Sequence, residues 1–390
     1  YGHEQMALRC EWSRVDSNYI EFYFRYYGDH YAIHDDRNSD ISHNTIIISS
    51  YTNNYTNNII RSHSSSDYVN SINDNVITYD GNYQRFPNAI WTQSNTIVRN
   101  NTINSTFLES AIYIENNCIV DSNTISGDYS NRVFQVEGDS SIIRDNFVTN
   151  SGGGTGVYVG GENYTWVYNN DFFHTNDGRF LESNASEVYA TGNLFEGSSG
   201  RGFYIHSQSG GQIYNNTLIS NGGDYGMHQS NQTNVPVYNN IFQGFDNGIY
   251  AENTIQNYNL ANNLLWDISG NLFEGTALPP LVGQMIDENV NGNTADIYNN
   301  IYFDPLFVYP DTNNYGLQAN SPAVNAGDAS LTDPDGSISD IGAFYYHIYV
   351  VMDHIALDNT NDIAGPYVVN ATISSPAGAT LTGSVHYAVD

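Results

Sequence analysis

Apolar residues in this chain recur in short alternating runs, at fixed offsets from a series of asparagines. The series is Asn44, Asn75, Asn101, Asn123, Asn146, Asn170, Asn193, Asn216, Asn240, Asn263 and Asn300, and from Asn101 to Asn263 its steps are 22, 23, 24, 23, 23, 24 and 23 residues. Three residues before the asparagines lie Ile72, Val98, Val120, Ile143, Val167, Ala190, Ile213, Val237, Leu260 and Ile297. Two residues after them lie Ile46, Ile77, Ile103, Ile125, Val148, Phe172, Phe195, Leu218, Phe242, Leu265 and Tyr302. Period-two alternation of β-branched and aromatic residues predicts strands, and the frequent Asn and Gly exclude long helices. A fixed period of this size means stacked units that cannot bury an apolar face alone. Each period is expected to hold two or three short strands, with its asparagine at a tight corner where it takes the left-handed backbone. Stacked side-chain amides would then bond along the array. With coils about 4.8 Å apart, Asn44 to Asn300 spans roughly 50 Å.

The stretches V-Y-N-N-D-F (167–172), I-Y-N-N-T-L (213–218), V-Y-N-N-I-F (237–242) and I-Y-N-N-I-Y (297–302) resemble the right-handed parallel β-helix proteins of the pectate-lyase-like group. The resemblance covers about residues 7–347 and implies an all-β solenoid with an asparagine ladder; it says little about activity, because this scaffold hosts many functions. Residues 1–303 are assigned to the coils. Leu8 to Asn18 already reads as a coil with Ser13 at the corner, so Tyr1 is not expected to be the natural start. Residues 304–347 contain D-P-L-F, Y-G-L-Q-A-N-S-P-A-V-N-A-G-D and D-P-D-G-S-I-S-D-I-G-A-F. They resemble the closing segment of secreted, surface-anchored bacterial β-helix proteins, which implies an extracellular or cell-surface location. Residues 348–390 resemble the first strands of an immunoglobulin- or fibronectin-like module and are too few for a complete β-sandwich.

Charge narrows the partners. All 11 basic residues are Arg, against 42 acidic residues, for a formal charge of −31. Nucleic acid and anionic membranes are poor partners for such a chain, and no apolar run is long enough for direct membrane insertion. Cys10 and Cys118 lie about four coils apart, roughly 20 Å, so two free thiols are expected.

Between corners each coil carries one clear strand, as in A-I-Y-I-E (111–115), V-F-Q-V-E (133–137) and G-F-Y-I-H (202–206). Positions two and four point inward; positions three and five point outward. The outward columns read Trp91, Tyr113, Gln135, Tyr158, Leu181, Tyr204, His228, Tyr250 and Gln93, Glu115, Glu137, Gly160, Ser183, His206, Ser230, Glu252. In this register Glu182 would point inward, so a one-residue slip placing Phe180 and Glu182 outward is favoured.

Rings with polar tips beside carboxylates and imidazoles suit sugar hydroxyls. The candidate glycan-binding set is Trp91, Tyr113, Glu115, Glu137, Tyr158, Tyr204, His206, His228, Tyr250 and Glu252; against it, aromatic residues also simply favour strands. Glu115 and Glu137, one coil apart, are the candidate catalytic pair of a glycoside hydrolase, an alternative site for a cation, or two solvated carboxylates. The absence of lysine and the acidic look of this face argue against a polyuronate lyase built on His206, His228 and Arg201. His34-Asp35-Asp36, near the N-terminal end of the same face, is a second candidate cluster that resembles no metal signature, and a loop or strand end is its favoured reading. Asp333, Asp335 and Asp340 are candidate calcium ligands in what is equally a turn sequence; no cofactor is required. Recognition or adhesion on a polysaccharide or surface glycan leads, a glycan-cleaving enzyme is the alternative, and a structural rod assembled into a larger surface structure is the third reading.

Overall fold

A computed structural model describes residues 5–24, 30–50, 58–64, 68–81, 88–149, 152–161, 164–175, 178–198, 200–206, 210–230, 235–252, 259–276, 278–346, 351–354 and 371–374. Strands stack in parallel from coil to coil as a β-helix. One wall is a sheet of 11 short strands, from Arg14–Asp16 to Leu260–Ala261, that precede the asparagines. The rest of each coil belongs to a 22-stranded sheet, and in four coils a single strand, Thr102–Asn116, Thr124–Val136, Thr217–Ser230 or Ile241–Ala251, runs from just after the asparagine through the outward face.

The asparagine ladder forms and is longer at its start than expected: Asn18 is its first member, bonding Asn44 Oδ1 through both backbone N–H (3.0 Å) and Nδ2 (2.9 Å). Ser13 does sit at a corner, but a different one. Each later asparagine up to Asn263 repeats one pattern, and Asn300 ends the ladder on the Asp296 carboxylate. Asn193, for example, donates N–H and Nδ2 to Asn216 Oδ1 (3.1 and 2.9 Å) and Nδ2 again to Val167 O (2.8 Å). The left-handed residue is not the ladder asparagine but the one before it. Ser17, His43, Asp74, Asn100, Ser122, Asp145, Asn169, Gly192, Asn215, Asn239, Asn262 and Asn299 all have φ between 51° and 66°. These are the short polar residues and glycine that tolerate such backbone. The N-N pairs of the sequence thus divide the work, the first turning the corner and the second entering the ladder.

The flanking apolar positions fill the core, with Ile72, Val98, Val120, Phe172 and Phe242 among those at 0 % exposure. The last coil departs: Ile297 and Tyr302 are 43 % and 37 % exposed, and Ala295 is buried instead. There Ile301–Tyr302 keeps parallel register with Leu264 and Leu265 but pairs antiparallel with Thr294–Ala295, which in turn pairs antiparallel with Asp287–Glu288, so the parallel stack ends; Ile297 lies in a turn. A second polar column, unforeseen in the sequence, starts at the exposed Ser13 and continues in the interior through Ser39, Asn70, Thr96, Cys118 and Ser141. Ser13 N–H donates to Ser39 Oγ (3.3 Å) and Cys118 N–H to Ser141 Oγ (3.2 Å). Asp35 is not a loop end but wholly buried beside this column, its carboxylate accepting from Arg37 N–H, Ser62 Oγ and Asn70 Nδ2, each at 3.0 Å. Both cysteines are free and buried.

After the last coil, Phe307–Tyr309 and Asn314–Leu317 form a hairpin, and the chain then folds back along the outside of the solenoid. Phe307, Tyr315, Leu317, Ala323, Ala326 and Ile341 pack on Phe173, Leu194, Ile241, Leu264 and Ile301. The corner asparagines hold this segment: Asn262 Nδ2 donates to Ala326 O (3.2 Å), Asn239 Oδ1 accepts from Asp328 N–H (2.9 Å), and Asn215 Nδ2 donates to Asp340 O (3.0 Å). Of the expected sandwich module, Val351–His354 pairs antiparallel with Ala371–Ser374; the remainder of that assignment lies outside the described residues.

Candidate functional site

The outward strand face is defined by its register. One continuous column reads Arg9, His34, Arg61, Trp91, Tyr113, Gln135, Tyr158, Glu182, Tyr204, His228, Tyr250 and Glu274, each the Cα partner of the next. Leu181 is therefore not in it: Leu181 is fully buried and Glu182 takes the outward place. Only half of the anticipated slip occurs, because Phe180 is also buried, stacked on Phe195 at 5.1 Å. It fills a position that is Gly156 and Gly202 in the neighbouring coils, where no side chain competes for the volume. Ser183 likewise turns inward at 0 % exposure, and Asn184 replaces it, donating to Tyr158 Oη at 3.2 Å.

The face is of mixed charge rather than acidic. A flanking column contributes Arg132, Arg179 and Arg201, the last two paired directly. Their guanidinium groups cover ring faces: Arg132 lies 3.4 Å from the Tyr158 centroid, and Arg179 and Arg201 lie 4.3 and 5.3 Å from that of Tyr204. Each is also ion-paired, Arg132 with Glu137, Arg179 with Glu182 and Arg201 with Asp224. Arg61 sits between Tyr31 and Trp91, at 5.3 and 4.9 Å. The tyrosines thus offer edges and hydroxyls to solvent more than open faces.

At the N-terminal end, His34 is 4.9 Å from Tyr31 and 5.8 Å from His63, and Arg9 and His34 both reach Asp36. In the middle, Tyr113, Glu115 and Glu137 come together. Burial, then Glu137 and Glu115, push the Tyr113 phenol up to about 12. Burial raises the Glu115 carboxyl above its ordinary value, Arg61 opposes this, and Glu137 adds to it. Glu137 accepts from Arg132 Nη1 (3.2 Å) and Gln135 Nε2 (2.6 Å). Toward the C-terminal end, His228 is enclosed by Tyr204 (4.7 Å) and Tyr250 (4.8 Å), its Nε2 3.9 Å from Glu252. His206 Nδ1 lies 3.0 Å from Ser230 Oγ. Burial lowers both imidazole pKa values, with Arg201 acting in the same direction on each. All ten glycan candidates stand on this one face.

Asp333 and Asp335 serve their own turn, and Asp340 ties that turn to the neighbouring chain at Asn325 and Tyr346. Asp333 Oδ2 accepts from Asp340 N–H (3.0 Å), Asp335 Oδ1 from Ser337 N–H (2.9 Å) and Asp340 Oδ1 from Asn325 N–H (2.6 Å). No group of three His, Cys, Asp or Glu among the described residues is arranged to hold a metal ion. A concavity of about 580 Å³, lined by residues such as Asn293, Phe303, Ser321 and Val324, belongs to the closing segment and not to the face.

Sequence reasoning missed Arg132, Arg179 and Glu274 as parts of the face, and named Arg201 only within the disfavoured lyase set. The arginines stand three residues before the outward Gln135, Glu182 and Tyr204, a position that a reading of third and fifth places does not include. The fold and face define a parallel β-helix protein. Residues 110–265, which carry most of the face, match the family described as a right handed beta helix region. No curated protein matches the chain.

Proposed function

We propose that the chain is an extracellular recognition or adhesion protein that binds a polysaccharide or surface glycan along the outward strand face. The observation that carries this reading is the unbroken column from Arg9 to Glu274, in which planar polar and aromatic groups recur once per coil. Sugars are matched by planar side chains that donate and accept at their edges, and Arg, Gln, Glu, His and Tyr supply these at about 4.8 Å intervals. Arg–carboxylate pairs hold the side chains in place before a ligand arrives, which reduces the entropy lost on binding. Affinity-gel electrophoresis against a polysaccharide panel tests the proposal. Retardation by at least one glycan, lost in the triple variant Tyr113→Ala/Tyr158→Ala/Tyr204→Ala, is expected; equal mobility in every gel would remove the proposal and leave the structural rod.

A further inference from the structure

We propose that the chain pairs with a second copy of itself through the 11-stranded wall, the two solenoids running antiparallel about a two-fold axis between the coils of Ile119 and Ile142. The inference goes beyond the glycan-binding reading and does not depend on it.

This wall carries an apolar column on its outer side. Ile97, Ile119, Ile142, Trp166 and Tyr189 are successive Cα partners. They alternate with Val98, Val120, Ile143, Val167 and Ala190, all at 0 % exposure, so they point out of the solenoid. Each is only half-buried, and Trp166 stacks on Tyr189 at 4.3 Å. Two residues further along the strands runs a second outward column, Arg99, Asp121, Arg144 and Tyr168. Asp121 Oδ2 accepts from Arg99 Nη2 (2.7 Å) and Arg144 Nη2 (3.1 Å), and Arg144 Nη1 donates to Tyr168 Oη (3.1 Å). An apolar stripe with Trp, Tyr and Arg at its side has the composition of a protein interface. The closing segment packs on the neighbouring wall, on Phe173, Leu194, Ile241 and Leu264, and reaches the edge of this one at Asn215, Asn239 and Asn262.

Charge selects the occupant. A formal charge of −31 makes two copies repel across most of their surface. In the middle of this wall Arg99 and Arg144 balance Asp121 and the corner Asp145, whose Oδ2 lies 3.8 Å from Arg144 Nε. The order of residues then sets the register. When the two-fold axis lies along the strands, each column meets itself reversed. Trp166 faces the partner's Ile97, Ile119 faces the partner's Ile142, Asp121 faces the partner's Arg144, and Arg99 faces the partner's Tyr168. Toward the ends, Asp40 faces the partner's Gln212 and Asp16 the partner's Tyr238, so carboxylates meet hydroxyl and amide groups. Moving the axis by half a coil would set Asp121 on Asp121 or Arg144 on Arg144. Parallel solenoids would set Trp166 on Trp166 and lose the Asp121–Arg144 pairing.

The size suffices. The axis lies close to the middle of the 11 strands, so the walls overlap over roughly 45 Å by about 16 Å, or ~700 Å² per copy, near the ~800 Å² of a standard interface. Pairing through this wall leaves the outward strand face of each copy free, so the dimer presents two such faces.

The test uses the full chain. Sedimentation is expected to show a species of twice the 43.4 kDa chain mass that dissociates on dilution. Trp166→Ala is expected to raise its dissociation constant at least about tenfold with an unchanged far-UV circular dichroism spectrum. The register is read with a short bismaleimide on Asn73→Cys and Thr191→Cys, positions that face each other across the proposed axis. Within one chain they are five coils apart, about 24 Å, and the native thiols are buried. A covalent dimer is expected when the two variants are mixed and not from either alone. A monomer at every concentration up to about 100 μM overturns the proposal. So does a dimer that Trp166→Ala leaves unchanged, a mixture that yields no covalent dimer, or cross-linking of either variant to itself.

Discussion

A ladder asparagine uses every polar atom of its side chain: Oδ1 accepts twice from one neighbouring coil, and Nδ2 donates to the other neighbour and to a carbonyl. Asn193→Ala would orphan the N–H of Asn193's neighbour Asn170 and the carbonyl of Val167, both buried, at about 1–3 kcal/mol each. A lower denaturation midpoint in that variant, with Asn169→Gly nearly neutral because glycine keeps the corner's φ, is the expected outcome of a urea titration. The thiols should be inert while the chain is folded. Burial raises Cys10 to about 11 and Cys118 to about 12, so a thiol reagent at pH 8 should label both only after denaturation. Asp171 lies between Phe147 and Leu194 in the stack, and burial alone raises it to about 6. Its folded pKa exceeds the unfolded value near 3.9, so its contribution is complete below about pH 4 and lost as pH rises through about 6. Asp171→Asn should therefore raise the melting temperature at pH 7.5 by roughly 2 °C and leave it nearly unchanged at pH 4.

Strands and turns were legible in the sequence to the extent that they obey the repeat. The Asn offset named the core positions because alternation and a fixed period leave each residue one side to face. It failed where geometry broke that rule. Phe180 entered the core because glycines above and below gave it room; in the last coil Ile297 is exposed because it lies in a turn, and Tyr302, still in parallel register with Leu265, is exposed where the parallel stack ends. The docking role of the corner asparagines was not legible in the sequence because their partners lie more than sixty residues away, in the closing segment. That docking can be separated from the corner itself. Asn239→Gly keeps φ near 57° open to the backbone but removes the acceptor of Asp328 N–H and the donor to Asn215 Oδ1. Hydrogen exchange should then speed up at residues 323–343 by about tenfold, as expected for a loss near 1.4 kcal/mol, with the ladder amides of Asn101–Asn170 unaffected. The candidate site was legible as a list of outward aromatics and carboxylates. Its arginines were not, since their place on the face depends on a register that composition does not reveal.

At the scale of the whole molecule, a stack in which each coil touches only its neighbours has stability that sums over coils and interfaces. The net charge of −31 acts on all of them at once. The Arg–carboxylate pairs along the face are exceptions to that excess and keep one wall near balance. This makes the face the surface that a neutral glycan can approach without displacing a dense layer of cations, and it locates the central claim on one wall of the solenoid. The measurement that tests it most directly is the electron density of a crystal soaked with an oligosaccharide that the affinity gel shows to bind. Sugar density running over Tyr113, Glu137, Tyr158 and Tyr204 is the predicted result. Density confined to the opposite sheet, or to the concavity beside Phe303 in the closing segment, would contradict it.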